Sequence, residues 1–444
     1  MNALLTDLYE LNMAASYLRR GMHAPATFSL FVRSLPARRG FLVAAGLEDC
    51  LDFLESFGFS EAGLAYARDS LGFEERDLEA FRRLRFTGDV WAVPEGTVVL
   101  AGEPLLEVTA PMAEAQLVET FLLNQVTFQT TVASKAARCR VAARGRDLVD
   151  FAFRRTQGIE AGLAAARLSA MVGFAATSNV EAARRFGLRA AGTMAHSYIE
   201  AFPTEAEAFG AFADDFPGRT TFLVDTYDTL AGVRAVIELI RRRHLAEGLA
   251  VRLDSGDLGE LAGQARALLD GAGLHQVRIL ASGGLDELDI DDLVRAGAPI
   301  DAFGVGTKMG VSADHPYLDT AYKLVQLGDR PVMKLSAGKV SAPGPKQVFR
   351  RGRMEDVIGL RSEAPPAGSA PLLVPVMTGG RRVLGRERLE AARGRFEADL
   401  ARLPEPALDL RAPSGPQPVA SAALVELTEQ TRERLAAIRQ GGAG

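Results

Sequence analysis

The sequence predicts an α/β chain, built as an irregular or incomplete α/β barrel with an additional α+β domain assembled from the N-terminal and C-terminal segments. Three observations predict it. Short apolar runs recur through the middle of the chain, helix-like segments separate most of them, and the rhythm is absent on either side. Strands alternating with helices at this spacing make βαβ units and hence a parallel sheet. Six or seven such units in a row favour a barrel over an open sheet.

Taken in order, Leu5–Leu18 reads as an amphipathic helix and Ala26–Leu35 as a strand, rich in β-branched and aromatic residues. Residues 41–59, with apolar positions at three-to-four spacing, read as a helix. From Phe86 to Pro111, apolar stretches between Pro-Glu-Gly and Ala-Gly-Glu-Pro turns predict a small antiparallel β unit. A long helix is expected from Ala113 to about Ala143, a span free of Gly and Pro. The recurring runs follow at 147–153, 170–176, 188–194, 220–226, 249–255, 276–282 and 300–306, with helix-like segments such as 229–248, 257–273 and 286–297 between them. After Tyr322 the pattern becomes short strands with Gly and Pro turns, then a linker-like stretch at 362–371 and a charged surface helix at 386–403. The expected divisions are an N-terminal α+β domain (1–115), the barrel (116–325), and a C-terminal segment (326–444) packing on the first domain.

Composition narrows the function. A chain of 444 residues with 48% hydrophobic content can bury a sizeable core, and 24% charged residues is ordinary for a globular protein. A formal net charge of −5 gives no polybasic signature for nucleic acid. Two cysteines, Cys50 and Cys139, cannot make a disulfide framework or a Cys-rich zinc site, and a reducing cytoplasm fits. The first 18 residues carry two acids and no basic leader, and charges break the apolar stretches before the ~18 residues of a membrane span. A soluble, intracellular protein is expected.

The chemistry sits where the runs end: FRRTQG (153–158), MAHSY (194–198), VDTYD (224–228), RLDSGD (252–257), ASGG (281–284) and FGVGTK (303–308). Barrel enzymes place their sites at the carboxyl ends of strands, because the loops there converge. Strand-ending Asp, Ser and Gly are common as caps and turns, but caps need no Arg154, His196, Arg252 or Lys308. The last two runs lie where such barrels hold phosphate. Ser282, Gly283, Gly284, Gly304, Gly306 and Thr307 are therefore phosphate-binding candidates, the glycines allowing close backbone approach. No Walker loop or dinucleotide fingerprint is present. Arg252 and Asp254 share one side of a strand, and Ser255 joins Arg252 as a substrate-binding candidate. Asp225 and Asp254, at neighbouring strand ends, could coordinate Mg²⁺ or face a cationic transition state, with Asp257 the better helix cap. His196 follows an apolar run at the barrel mouth and is the catalytic histidine candidate.

Together these pieces resemble the nicotinate phosphoribosyltransferase family. The matching segments are TDLYELNMA (6–14), FRRTQG, TSNVEAA (177–183), GTMAHSYI (192–199), VDTYDT, VRLDSGDL (251–258), ASGGLDE, FGVGTKM, YKLV (322–325) and RPVMKLS (330–336), in order over about Leu5 to Arg350. The resemblance implies that nicotinate and phosphoribosyl pyrophosphate give nicotinate mononucleotide and pyrophosphate, with ATP as co-substrate and Mg²⁺ on the leaving group. It implies that His196 is phosphorylated by ATP, and that Tyr9 and Phe151 sandwich the pyridine ring. Tyr9 would come from the partner subunit of a homodimer. Arg154 and Arg252 would face carboxylate or pyrophosphate. Asn179 would stand where nicotinamide-using relatives carry an acid, favouring an acid substrate. The zinc-binding cysteines of some relatives are missing. The alternatives are quinolinate or nicotinamide transferases, or a nucleotide-sensing barrel without turnover.

Overall fold

A computed structural model describes residues 3–245, 248–336 and 341–441. The chain divides into two compact units, Met1–Ser134 with Tyr317–Gly444, and Lys135–Pro316. The boundaries differ from those expected at 115 and 325. One falls inside the helix Glu119–Ala143, which has no Gly or Pro to mark it, and the other precedes the strand Thr320–Leu327, whose partner is N-terminal.

The first unit is built on a seven-stranded sheet with Pro25–Val32 at its heart. That strand pairs antiparallel with Pro104–Pro111 on one side and with Thr320–Leu327 on the other, so both ends of the chain share one sheet. The β unit expected between 86 and 111 is present as Asp89–Ala92 against Pro104–Pro111, while Val98–Val99 pairs instead with Leu42–Val43. The helix expected over 41–59 is correspondingly shorter, Leu47–Glu55, because its first residues are that strand. Residues 61–83 add two helices, Glu61–Leu71 and Glu75–Arg83. The helix from 113 is two pieces, Met112–Leu117 and Glu119–Ala143, with Val118 between them at turn-like angles (φ −93°, ψ −6°).

The C-terminal region supplies a four-stranded sheet that includes Lys346–Arg351 and Glu355–Leu360, and the helices Leu389–Leu400 and Ala422–Gly441. Leu389–Leu400 is more than a surface helix: it buries Ala392 and Phe396, and its Asp399 accepts from the Val98 amide at 3.0 Å. Residues 337–340, within the stretch expected as short strands, lie outside the described residues, as do Ala246 and Glu247 in the segment expected as helix.

The second unit carries six parallel strands: β1 (Asp147–Asp150), β2 (Ala176–Thr177), β3 (Thr221–Leu223), β4 (Ala250–Leu253), β5 (Arg278–Ala281) and β6 (Ala302–Val305). Their order is β2-β1-β6-β5-β4-β3. Among the described residues β2 and β3 do not pair with each other, so the barrel is incomplete. Two expected strands are largely absent. Ala170 and Met171 end the helix Ile159–Met171, where Met171 is fully buried, and only Ala176 of that run enters the sheet. A short apolar run does not by itself distinguish strand from buried helix. Of 188–194 only Ala190 bridges to Thr177.

Several polar residues that end strands or loops of this unit are helix caps. Asn179, Asp228, Asp257 and Asp286 each accept a backbone N–H of the helix that follows. Cys50 and Cys139 are free and buried.

Candidate active site

The cavity and the contacts that build it lie within the second unit. A cavity of about 370 Å³ opens at the carboxyl ends of the strands; its lining includes Phe151, Arg154, Ser178, Thr193, His196 and Arg252. That volume suits one small ligand.

Arg252 organises the site. It alternates with buried Val251 and Leu253 on β4, so the strand period turns its side chain away from the core and into the cavity. Its Nε donates to Ser282 Oγ (2.7 Å), Nη1 to Thr193 Oγ1 (2.9 Å) and Nη2 to Asp254 Oδ1 (2.7 Å). The guanidinium lies 5.4 Å from the centre of the Phe151 ring, within cation–π range.

Asp254 accepts from Arg252 and, at 2.5 Å, from Ser282 Oγ. Burial opposes its charge, but the Ser282 hydroxyl and the Arg252 guanidinium outweigh burial and hold the carboxyl below its ordinary range. Asp225 Oδ2 accepts from the Asp254 amide (3.1 Å) and the Ser255 hydroxyl (2.5 Å), whereas Oδ1 is buried with no hydrogen-bond partner. His196 begins the short helix His196–Glu200. Its Nδ1 lies 3.1 Å from Thr226 Oγ1, and Nε2 lies 3.9 Å from Asp254 Oδ2, too far for a hydrogen bond. Runs ending near residues 151, 194, 226, 254 and 282 therefore do converge.

Several expected roles change. Asn179 is fully buried, with Oδ1 accepting from the Ala182 amide and Nδ2 donating to the Gly162 carbonyl. It caps a helix rather than facing substrate, and its neighbour Ser178 lines the cavity instead. The Ser282 hydroxyl is committed to Arg252 and Asp254, not open to a phosphate. Gly304 is buried within β6, where a Cβ would sit 2.4 Å from the Phe151 ring, so its role is packing. Gly283 (φ +103°) and Gly284 (φ +74°) are exposed in left-handed conformations, as a loop open to an anion requires. A Cβ on Gly283 would lie 2.0 Å from the Asp254 carbonyl oxygen. Gly306 precedes, and Thr307 begins, the short helix Thr307–Gly310, and both are half-buried. Lys308 pairs with Asp289 (3.0 Å) and Asp286 (3.4 Å).

Tyr9 belongs to the first unit, on the helix Leu8–Arg19, and is half-exposed; burial, Glu119 and Glu10 push its phenol pKa upward. Sequence reasoning missed Ser178, Thr193 and Thr226. All three stand inside the quoted segments, Ser178 beside Asn179, Thr226 beside Asp225 and Thr193 three residues before His196, but a hydroxyl residue near a stronger candidate carries no signal of its own.

Comparison with known proteins decides the family. The model of the nicotinate phosphoribosyltransferase N-terminal domain matches residues 4–127, and that of the nicotinate phosphoribosyltransferase family matches residues 147–336. The chain belongs to the nicotinate phosphoribosyltransferase family. It is 51% identical over 388 residues to a nicotinate phosphoribosyltransferase of Mycobacterium tuberculosis, covering 86% of this chain and 83% of that one. It is 42% identical over 357 residues to the Bacillus subtilis nicotinate phosphoribosyltransferase, covering 78% and 73%. Human nicotinic acid phosphoribosyltransferase shares the architecture with a TM-score of 0.85 at 29% identity over 96% of this chain and 99% of the human one. A nicotinate-nucleotide pyrophosphorylase of Pyrococcus furiosus matches at 0.75 and 24% identity over 90% and 95%, which shows a common fold. The expected family and the incomplete barrel with an added α+β domain are both borne out.

Proposed function

We propose that this chain joins nicotinate to phosphoribosyl pyrophosphate, giving nicotinate mononucleotide and pyrophosphate, with ATP as co-substrate. The observation that carries this reading is the cavity in which Arg252 stands beside the Phe151 ring while Asp254 and His196 complete the wall. An aromatic floor suits a flat pyridine, and the exposed Arg154 in the lining suits its carboxylate. Family membership at 51% identity supports the same substrate pair. Arg154 and Arg252 in the lining, rather than the buried cap Asn179, favour an acid substrate.

In the reaction, pyrophosphate leaves an oxocarbenium-like sugar and the pyridine nitrogen forms the new bond. Asp254, kept ionised by Ser282 and Arg252, supplies negative charge beside the developing cation. Gly283, Gly284, Gly306 and Thr307 cradle phosphate oxygens. Asp225 and Asp254 would hold Mg²⁺, which would neutralise the leaving pyrophosphate; the orphaned Asp225 Oδ1 fits a cation ligand. Among the described residues there is no cluster of three or more acidic, His or Cys side chains for a metal. The two carboxylates would therefore share the ion with substrate oxygens and water.

His196 takes the phosphoryl group from ATP, with Thr226 setting the ring's orientation through Nδ1. Exposed apolar side chains, Leu5, Leu8 and Tyr9 in the first unit and Phe153, Ile159 and Val180 in the second, support a homodimer in which Tyr9 caps the partner's pyridine site. No described helix is long and apolar enough to cross a membrane; a cytoplasmic location fits the two reduced, buried cysteines.

The test is pyrophosphate release with nicotinate, nicotinamide or quinolinate, each with and without ATP. Nicotinate turnover stimulated by ATP is expected, with His196→Ala abolishing the ATP effect and leaving slow residual activity. A His196→Ala enzyme that still responds to ATP like the parent rejects the phosphohistidine. Co-expressing Tyr9→Ala with His196→Ala chains tests the shared site: mixed dimers regain ATP-stimulated turnover above that of either variant alone.

A further inference from the structure

We propose that Asp150 and Thr177 are positioning residues for the pyridine substrate, a buried carboxylate–hydroxyl pair that braces together the loops walling that end of the cavity. The inference rests on the reading above that the ring lies against Phe151 near Ser178.

Asp150 ends β1 and is fully buried, and among the described residues no cation pairs with it. Burying a carboxylate without a counter-charge is costly, and an apolar residue would serve a strand end better. Its hydrogen bonds explain its presence. Oδ1 accepts the Ala152 amide at 2.8 Å, setting the turn that carries Phe151 and Arg154. Oδ2 accepts the Thr177 hydroxyl at 2.7 Å. The Asp150 carbonyl accepts the Ser178 amide at 2.8 Å, and Thr177 Oγ1 in turn accepts the Asn179 amide at 3.0 Å.

A third segment is tied in through the backbone of Thr177. Its amide donates to the Arg189 carbonyl (3.0 Å), and its own carbonyl accepts from the Ala191 amide (2.9 Å). Residues 192–196 of the cavity lining follow directly. One buried pair thus connects the Phe151 turn, the Ser178 loop and the segment leading to His196. Neither side chain lines the cavity. Their influence passes through the Phe151 ring and the Ser178 loop, which receive the pyridine; Arg252 on β4 and Asp254 just after it are held by each other and by Ser282.

The bracing therefore acts on nicotinate more than on phosphoribosyl pyrophosphate. Thr177→Val keeps shape but removes the hydroxyl, so Asp150 Oδ2 and the Asn179 amide both lose a partner. We expect the KM for nicotinate to rise about tenfold or more, with kcat at saturating nicotinate and the KM for phosphoribosyl pyrophosphate within about threefold of the parent. Thr177→Ser, which keeps the hydroxyl, restores the nicotinate KM. Asp150→Asn, which offers an N–H₂ where Thr177 needs an acceptor, shifts it the same way as Thr177→Val; if Asp150→Asn does not fold, the Thr177 pair of variants decides.

Phe151→Leu separates this proposal from the reading beneath it. If Phe151→Leu raises the nicotinate KM and Thr177→Val does not, the bracing is overturned while the pyridine site stands. If neither moves it, both fall. A Thr177→Val enzyme that loses kcat with an unchanged nicotinate KM, or a Thr177→Ser enzyme as impaired as Thr177→Val, also overturns the bracing.

Discussion

Arg252 shows what a single side chain does in this site. Its planar fork meets Ser282, Thr193 and Asp254 from three different segments, and lysine cannot span all three. Arg252→Lys is expected to lower kcat/KM about 100-fold in steady-state assays, since the site loses alignment while keeping its charge. Asp254 carries a pH prediction. Its folded pKa is depressed, so its ionised form and the stability this contributes are present above the unfolded value and lost as pH falls through the folded one. Removing a donor raises the folded pKa. Ser282→Ala should therefore move the acid limb of kcat/KM toward higher pH, and a pH profile with an unmoved limb would show that Asp254 does not govern it. Residue types in the strand-end motifs pointed to Arg252, Asp254, Asp225 and His196 as a group. They could not say that Ser178, rather than adjacent Asn179, faces the cavity, because one residue of shift decides between a buried cap and a wall.

At the scale of elements, the site depends on two places where a side chain would not fit. Gly304 sits in β6 with the Phe151 ring where its Cβ would be. Gly304→Ala should displace the ring, raising the KM for nicotinate and lowering the thermal midpoint. Gly283→Ala faces both a backbone carbonyl 2.0 Å from the new Cβ and a φ of +103°, so the loop must move away from Asp254. Its expected mark is a higher KM for phosphoribosyl pyrophosphate, read beside an unchanged KM for nicotinate. The alternating strand–helix rhythm was legible because each βαβ unit writes its own local pattern. The runs at 170–176 and 188–194 misled, since a helix end and a loop against the sheet edge are as apolar as a strand.

At the scale of the molecule, the two ends of the chain build one unit, and buried ion pairs join them. Arg350 meets Asp356 at 2.6 Å, Asp399 at 3.1 Å and Glu103 at 3.9 Å, all of them buried. Burial first, then the neighbouring Asp356, pushes the Glu103 carboxyl well above its ordinary range, and Arg350 draws it back. Arg350→Met leaves these acids without their cation and is expected to cost about 3–5 kcal/mol of stability in chemical denaturation. The sequence by itself determined the fold class, the family and the set of polar groups brought to one mouth, because hydrophobic periodicity and short motifs are local properties of the chain. Only the tertiary structure decided that the barrel stays incomplete, that the unit boundary lies within a helix, and which strand-end residues are caps, packing or cavity wall. Those outcomes depend on contacts between segments more than 250 residues apart, such as Glu107 with Arg361 and the Val98 amide with Asp399, and no local pattern records them.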